Sequence, residues 1–184
     1  MKTLSAALVL LSLISVGQPA SLACEKLLKP SLNQCPDLSG RWHVIAASMF
    51  TLTSTSVSAS FSRSGWMDVI SKCAPNRYAG TAYVKENGVC MNQTATLFYA
   101  NGGLFEVNSE TLMTPTDAIS AQQAVLLQTG CPDCLVIKGV FDILLFFSRR
   151  TAVSATELTE FETQAECLGK SKPELFSTDH VCGI

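Results

Sequence analysis

Reactive chemistry in this chain rests on cysteine. The sequence holds eight cysteines and only two histidines, His43 and His180. Two histidines leave little for His-rich metal centres or for histidine-based acid–base work. Cys131-Pro132-Asp133-Cys134 has the C-x-x-C spacing of a thioredoxin-like redox pair or of half a zinc site. The redox pair expects a βαβ context and a helix opening after the first cysteine, whereas this segment falls between strands. The zinc site needs a second pair of ligands, and Cys35 and Cys73 are the nearest candidates. Neither signature is completed, so disulfides are expected here, with no metal and no cofactor. Serine, threonine and aspartate are plentiful, but no G-x-S-x-G, H-E-x-x-H or paired-acid motif occurs. The chain is therefore expected not to be an enzyme.

Disulfides need an oxidising compartment, and the first residues supply the address. Lys2 is a short basic region, Ala6–Val16 is apolar but too short for a membrane span, and Ser21-Leu22-Ala23 puts small residues at −3 and −1 of a cut before Cys24. Residues 1–23 are expected to be a secretory signal peptide, and 24–184 one domain. A bacterial lipobox also ends in cysteine but wants Leu at −3, where Ser21 stands. No second apolar run is long enough to span a bilayer. The product is expected to be secreted, soluble, monomeric and disulfide-bonded.

Composition narrows the partners. Of the 184 residues, 47% are apolar and 15% charged, with a net charge of −2. Such a chain can fold, which argues against disorder, and a near-neutral balance gives no reason to expect nucleic acid.

Strand-like segments fill most of the domain. They are Trp42–Met49, Trp66–Ser71, Arg77–Val84, Cys90–Tyr99, Leu104–Asn108, Ala121–Gln128, Cys134–Ile137 and Phe141–Ser148. Glu86-Asn87-Gly88 and Asn101-Gly102-Gly103 are tight turns between neighbours. Eight short strands at this spacing suggest a sandwich or an antiparallel barrel. One helix follows. Ser154-Ala155-Thr156-Glu157 is a capping box, Leu158, Phe161, Ala165 and Leu168 form one apolar face, and Gly169 suits the position after the end. This helix should lie outside the sheet, which explains why Leu144 and Phe146 are as apolar as Ile143, Leu145 and Phe147. If Trp42 points inward, His43 points outward.

Three features in order resemble a lipocalin: Gly40-Arg41-Trp42 before the first strand, the eight strands, and Arg149 just past the last one. The resemblance implies an all-β fold, an eight-stranded antiparallel up-and-down barrel with one C-terminal helix packed outside. It implies that Arg149 stacks across Trp42 to close the barrel floor. The family's middle motif is degenerate here, with Thr129 to Cys134 in its place. Within the family the chain is similar to the apolipoprotein M and α1-acid glycoprotein branch, through Asn87-Gly88-Val89-Cys90, Glu160-Phe161, Cys167-Leu168, Leu144-Leu145-Phe146 and Cys182. That branch implies Cys24–Cys167 and Cys90–Cys182 bridges. It also has a third bridge, from the turn before the seventh strand to the helix start, where this chain has Glu157. Cys35 or Cys73 must then take the place of the missing partner, and the pairing of Cys35, Cys73, Cys131 and Cys134 stays open.

The implied function is a secreted carrier with a small hydrophobic ligand inside the barrel. Expected pocket residues are Val44, Tyr83, Leu104, Val125, Leu127, Val136, Ile143, Leu145 and Phe147. Cys90 is followed by Met91-Asn92-Gln93-Thr94, without the arginine that binds lipid phosphate in apolipoprotein M, and Glu106 stands where α1-acid glycoprotein has an arginine. If Glu106 faces the cavity it favours neutral or cationic ligands. Thr51–Ser64 is expected to loop over the mouth. Asn92-Gln93-Thr94 is a glycosylation sequon. The resemblance adds lipoprotein particles or a cell-surface receptor as partners. Two other functions stay open. One is a secreted surface-interaction or immune-modulating β protein, for which Trp66 between Cys35 and Cys73 fits an immunoglobulin-like core only loosely. The other is a lipocalin-type isomerase, which would need a free thiol in the cavity.

Overall fold

The computed structural model describes residues 19–31, 36–49, 64–72, 77–86, 89–100, 103–106, 123–139 and 142–178, with the backbone alone at 19–21, 71–72, 86, 106 and 123. Residues 1–18 of the expected signal peptide, Cys35, Cys73 and Cys182, most of the expected first loop and the Asn87-Gly88 turn lie outside the described residues. The strands are β1 (Gly40–Ser48), β2 (Ser64–Lys72), β3 (Arg77–Glu86), β4 (Val89–Ala100), β5 (Gly103–Glu106), β6 (Gln123–Leu127), β7 (Cys134–Lys138), β8 (Leu144–Ser148) and β9 (Glu174–Leu175). Helix α1 is Pro19–Leu27 and helix α2 is Ala155–Cys167.

Each strand from β2 to β8 pairs antiparallel with the next, β8 pairs with β1, and β1 pairs back with β2. Eight strands therefore close on themselves, which leaves no open sheet edge among them. The ninth, β9, adds to the far half of β1 through Ala46↔Leu175 and Ala47↔Glu174. A register shift between Val44 and Ala46 lets β1 bend between its two sets of partners.

The apolar residues sort into two cores on opposite faces of the wall. One fills the barrel: Leu38, Trp42, Val69, Tyr78, Tyr99, Leu104, Leu126 and Phe147. The other lies between the sheet and α2: Ile45, Ala46, Leu127, Cys131, Cys134, Val136, Leu144, Phe146, Phe161 and Ala165. Phe146 and Phe161 stack with centroids 5.0 Å apart, which pins the helix to β8. So β8 is apolar on both faces because the barrel takes one and the helix the other. His43 pairs with Ser148 and Trp66, on the face opposite Trp42.

Local sequence signals set α2. The Glu157 amide donates to Ser154 Oγ (3.3 Å), and Glu157 Oε2 accepts from the Ser154 amide (2.7 Å). Gly169 has φ +67, a left-handed conformation that glycine takes without a steric cost. The last turn lies against α1, and Cys24 is bonded to Cys167. Gln164, fully buried, donates from Nε2 to the carbonyls of Leu27 (2.9 Å) and Gln128 (2.8 Å), so one amide ties α1, α2 and the end of β6 together. Helix α1 was not expected, and it runs across the Ala23–Cys24 bond where cleavage is expected. Among the described residues no helix is long and apolar enough to cross a membrane.

The pairing of the turn cysteines, open from the sequence, closes within the turn itself. Cys131 is bonded to Cys134, not to Cys35 or Cys73. The turn brings their Cα atoms to 5.3 Å, inside the range a disulfide spans. Cys90 is also disulfide-bonded, with its partner outside the described residues.

Candidate functional site

Backbone alternation fixes what the barrel encloses. At its closed end the chain before β1 folds across the opening. The Trp42 indole N–H donates to the Leu38 carbonyl at 2.9 Å. The Arg149 guanidinium lies 4.2 Å above the Trp42 ring and donates to the Ser39 carbonyl at 2.6 Å. Gly40, between them, has φ +98, and a Cβ there would stand 2.8 Å from Arg149 Nη1. Glycine is favoured at this position by the backbone angle, and a side chain would also have to displace the Arg149 guanidinium from the Trp42 ring. The Tyr99 hydroxyl donates to the Ser31 carbonyl (2.6 Å) and the Tyr78 hydroxyl to the Pro36 carbonyl (3.0 Å). Ser31 also pairs through its amide with Leu126 (2.8 Å). The floor is thus an aromatic layer whose polar ends all reach the strap that crosses it.

Burial pushes both phenols above their ordinary value of 10.0, with Tyr99 and Asp37 adding to the shift of Tyr78. A raised folded-state value means the unfolded chain ionises first. The stability these groups give is fully present below pH 10 and is lost as pH rises beyond it. We expect Tm to fall as pH rises above 10, and the fall to be shallower in Tyr78→Phe and Tyr99→Phe. Thermal scans across that range check it, and equal slopes in all three proteins would contradict it.

Above the floor the interior side chains are apolar but only half-buried: Val44, Met67, Leu97, Ala124, Ile137 and Leu145. One wall is built from small residues. Gly80 and Ala82 follow Tyr78 on β3 by alternation, and they pair with Ala95 and Gln93 of β4. A Cβ at Gly80 would lie 3.7 Å from Val69 Cγ2 and 3.9 Å from Met67 Cγ, so this wall is in loose contact with β2. Gln93 and Met91 continue the same face of β4 towards the open end and are exposed.

Several expected pocket residues lie on this interior face. Leu104 and Phe147 belong to the floor layer, and Val44 and Leu145 to the ring above it. Others do not. Leu127 and Val136 are buried under α2, and Val125 packs against the same outer core. Tyr83 is on the outer face, stacked on Trp66 at 5.0 Å beside Arg41, whose guanidinium is 5.4 Å from the Trp66 ring. Ile143 sits before β8, in the turn where its carbonyl accepts from the Gly139 amide (2.8 Å). The reason is common to β6, β7 and β8: both faces are apolar, so composition gives no phase, and a one-residue error exchanges the faces. Met67, Leu97, Ala124, Leu135 and Ile137 are interior residues the sequence pattern did not single out. Leu135 and Ile137 flank Val136, so the correct phase was one residue away. Glu106 ends β5 and pairs with Leu97. Asn92 is exposed and pairs with Tyr83, on the outer face.

Outside the barrel, Arg41 forks onto Asp68 at 2.8 and 2.7 Å and holds that carboxyl below the usual carboxylate range. A cavity of about 600 Å³ lies at the closed end, bordered by Leu38, Trp42, Leu126, Cys131, Cys134 and Arg149 among others. Near it Cys131, Cys134 and Glu157 come within 4.8 Å of one another, but Arg150 reaches both sulfurs and the carboxylate.

Solved structures share this architecture. A siderocalin named Ex-FABP, described as working through dual ligand specificities, matches 81% of this chain and 95% of its own at 13% identity, with a TM-score of 0.61. A dog lipocalin allergen matches 76% of this chain and 93% of its own at 12% identity, with a TM-score of 0.54. No protein-family model and no curated protein sequence matches the chain. Sequence identity this low shows the fold alone: a closed eight-stranded lipocalin barrel with the helix outside.

Proposed function

We propose that the protein is a secreted lipocalin carrier that holds one small hydrophobic ligand in the upper half of the barrel. The observation that carries this reading is the interior itself. Its floor is sealed by Trp42 and Arg149, while the apolar ring above, Val44, Met67, Leu97, Ala124, Ile137 and Leu145, keeps part of its surface uncovered. Apolar side chains that face inward yet stay partly exposed gain by covering apolar ligand surface, at roughly 25 cal/mol per Å². The small wall of Gly80, Ala82 and Ala95 leaves room for that ligand, and Gln93 is the polar group nearest the mouth on the same face. Secretion rests on the expected signal peptide and on the disulfides. Asn92, exposed on the outer face, is available for a glycan.

Glu106 sets the ligand's charge in this reading. It pairs with Leu97, itself packed against the interior core. A carboxylate there favours neutral or cationic amphiphiles and disfavours a lipid phosphate. Lipoprotein particles or a cell-surface receptor would be the delivery partners.

Native mass spectrometry of protein purified from its source identifies the bound molecule. A fluorescent apolar probe then tests the site. Ala82→Phe puts a ring against the small wall and should weaken probe binding more than tenfold, about 1.4 kcal/mol or more. Thr81→Val, on the outer face, should leave it unchanged. Equal affinity in the two variants, or tighter binding of anionic amphiphiles than of matched amines, would overturn the corresponding part of the proposal.

A further inference from the structure

The Cys131–Cys134 bond does little as a staple. Its residues are three apart in sequence, against 143 for Cys24–Cys167, and chain entropy rewards the closing of long loops. The turn is also held without it. The Arg149 amide donates to the Asp133 carbonyl (2.9 Å), the Gly130 amide to Glu160 Oε1 (2.9 Å), and Cys134 is already paired with Ser148 in the barrel.

Arg150 faces this bond in a way that suits its broken form. Its Nη2 lies 3.2 Å from Cys131 Sγ and 3.8 Å from Cys134 Sγ. The guanidinium is steered there by two carboxylates: Nε meets Asp133 Oδ2 at 3.0 Å, and Nη2 meets Glu157 Oε1 at 2.7 Å. A disulfide sulfur is a weak acceptor, so the contact gives the oxidised state little. A thiolate at the same position would accept a charge-assisted hydrogen bond, roughly twice as strong as a neutral one. Asp133 and Glu157 oppose a new negative charge, but neither lies between Nη2 and the sulfur. The donor is therefore in place for the reduced state, and a disulfide whose reduced form is stabilised is the stronger oxidant.

Access decides the partner. Cys131 and Cys134 are only 3% and 5% exposed. Both border the cavity of about 600 Å³ at the closed end. A cavity of that volume has room for a small thiol and none for a folded protein.

We propose that Cys131–Cys134 is a thiol–disulfide exchange site for low-molecular-weight thiols, with Arg150 positioning and stabilising the leaving thiolate. The thiolate of an incoming thiol attacks Cys134 Sγ. The Cys131–Cys134 bond breaks, and Cys131 leaves as a thiolate held by Arg150. A second thiol attacks the external sulfur of the mixed disulfide and releases Cys134. Two small thiols are oxidised to one disulfide, the protein disulfide is reduced to two thiols, and the two protons of the small thiols end on the cysteines. The site is separate from the barrel interior and does not rest on the carrier reading.

The test equilibrates the folded protein in glutathione buffers of increasing reduced fraction, followed by acid quench, differential alkylation and peptide mass analysis. We expect Cys131–Cys134 to reduce while Cys24–Cys167 stays intact. Arg150→Met should demand an about tenfold more reducing buffer for half reduction, and Arg150→Lys should recover part of that shift. Glu157→Gln keeps an amide oxygen to accept from Nη2 and removes an opposing charge, so its midpoint should move the other way. A purely structural corner would shift both variants alike, since each loosens the same ion pair. Reduction of the two disulfides at one midpoint, or a shift of Arg150→Met and Glu157→Gln in the same direction, would overturn the proposal.

Discussion

Replacing Cys24 and Cys167 together by serine should cost about 2–5 kcal/mol of stability, the largest change expected of any bridge described in this chain. The bond joins residues 143 apart, so its loss restores to the unfolded chain the freedom of nearly the whole domain. Native contacts suffer as well. The bond holds α1 beside α2, where Gln164 reaches the Leu27 carbonyl, and α1 leads into the strap that pairs with β6. In a domain of this size each kcal/mol moves Tm by about 2–4 °C, so calorimetry should find Tm lower by roughly 10 °C. The paired replacement Cys131→Ser with Cys134→Ser should move Tm much less, because it opens a short loop that other hydrogen bonds keep in place. Equal shifts in the two double variants would contradict this account.

Trp42→Ala should cost about 3–5 kcal/mol. The side chain is 3% exposed, so its removal leaves a void at the centre of the floor layer. It also strips Arg149 of the ring beneath it and leaves the Leu38 carbonyl without its indole donor. Trp42→Phe keeps a ring under the guanidinium and gives up one hydrogen bond, so its cost should be about 1–2 kcal/mol. Denaturant titration of both variants checks the ordering. Because the floor shapes the bottom of the cavity, Trp42→Ala should also weaken apolar-probe binding at temperatures where it remains folded. A variant as stable as the parent would show that the floor is held by the strap and not by this ring.

Features that depend on neighbours along the chain are legible in the sequence alone. The capping box Ser154–Glu157, the glycine that ends α2 and the apolar stripe that includes Phe161 and Ala165 specify a helix from one short stretch, because a cap is satisfied by residues three apart. The eight strands are legible from turn residues between apolar runs, with ends displaced by a few residues. Gly40, Trp42 and Arg149 are legible as a floor through the lipocalin resemblance, and the structure supplies the reason for each: a positive φ, a broad ring and a planar cation.

The faces of the wall are another matter. In β6 the run Ala124-Val125-Leu126-Leu127 is apolar throughout, and β7 and β8 are alike. Period-two alternation needs a polar face to set its phase, and α2 removes that face by covering it. Leu126, Leu135 and Ile137 go into the barrel, and Leu127 and Val136 go under the helix. The same long-range packing makes Tyr83 a partner of Trp66 instead of a pocket residue. Cysteine follows the same division. The expectation of disulfides comes from composition and the N-terminal segment, but the choice of Cys134 for Cys131 comes from the turn that brings their Cα atoms together. The amino-acid sequence by itself determined eight strands and a capped helix, because those follow from local chemistry and turn spacing, while the barrel and its floor were implied by the lipocalin resemblance. Only the tertiary structure decided which side of each strand faces the barrel interior, because that depends on what packs against the other side.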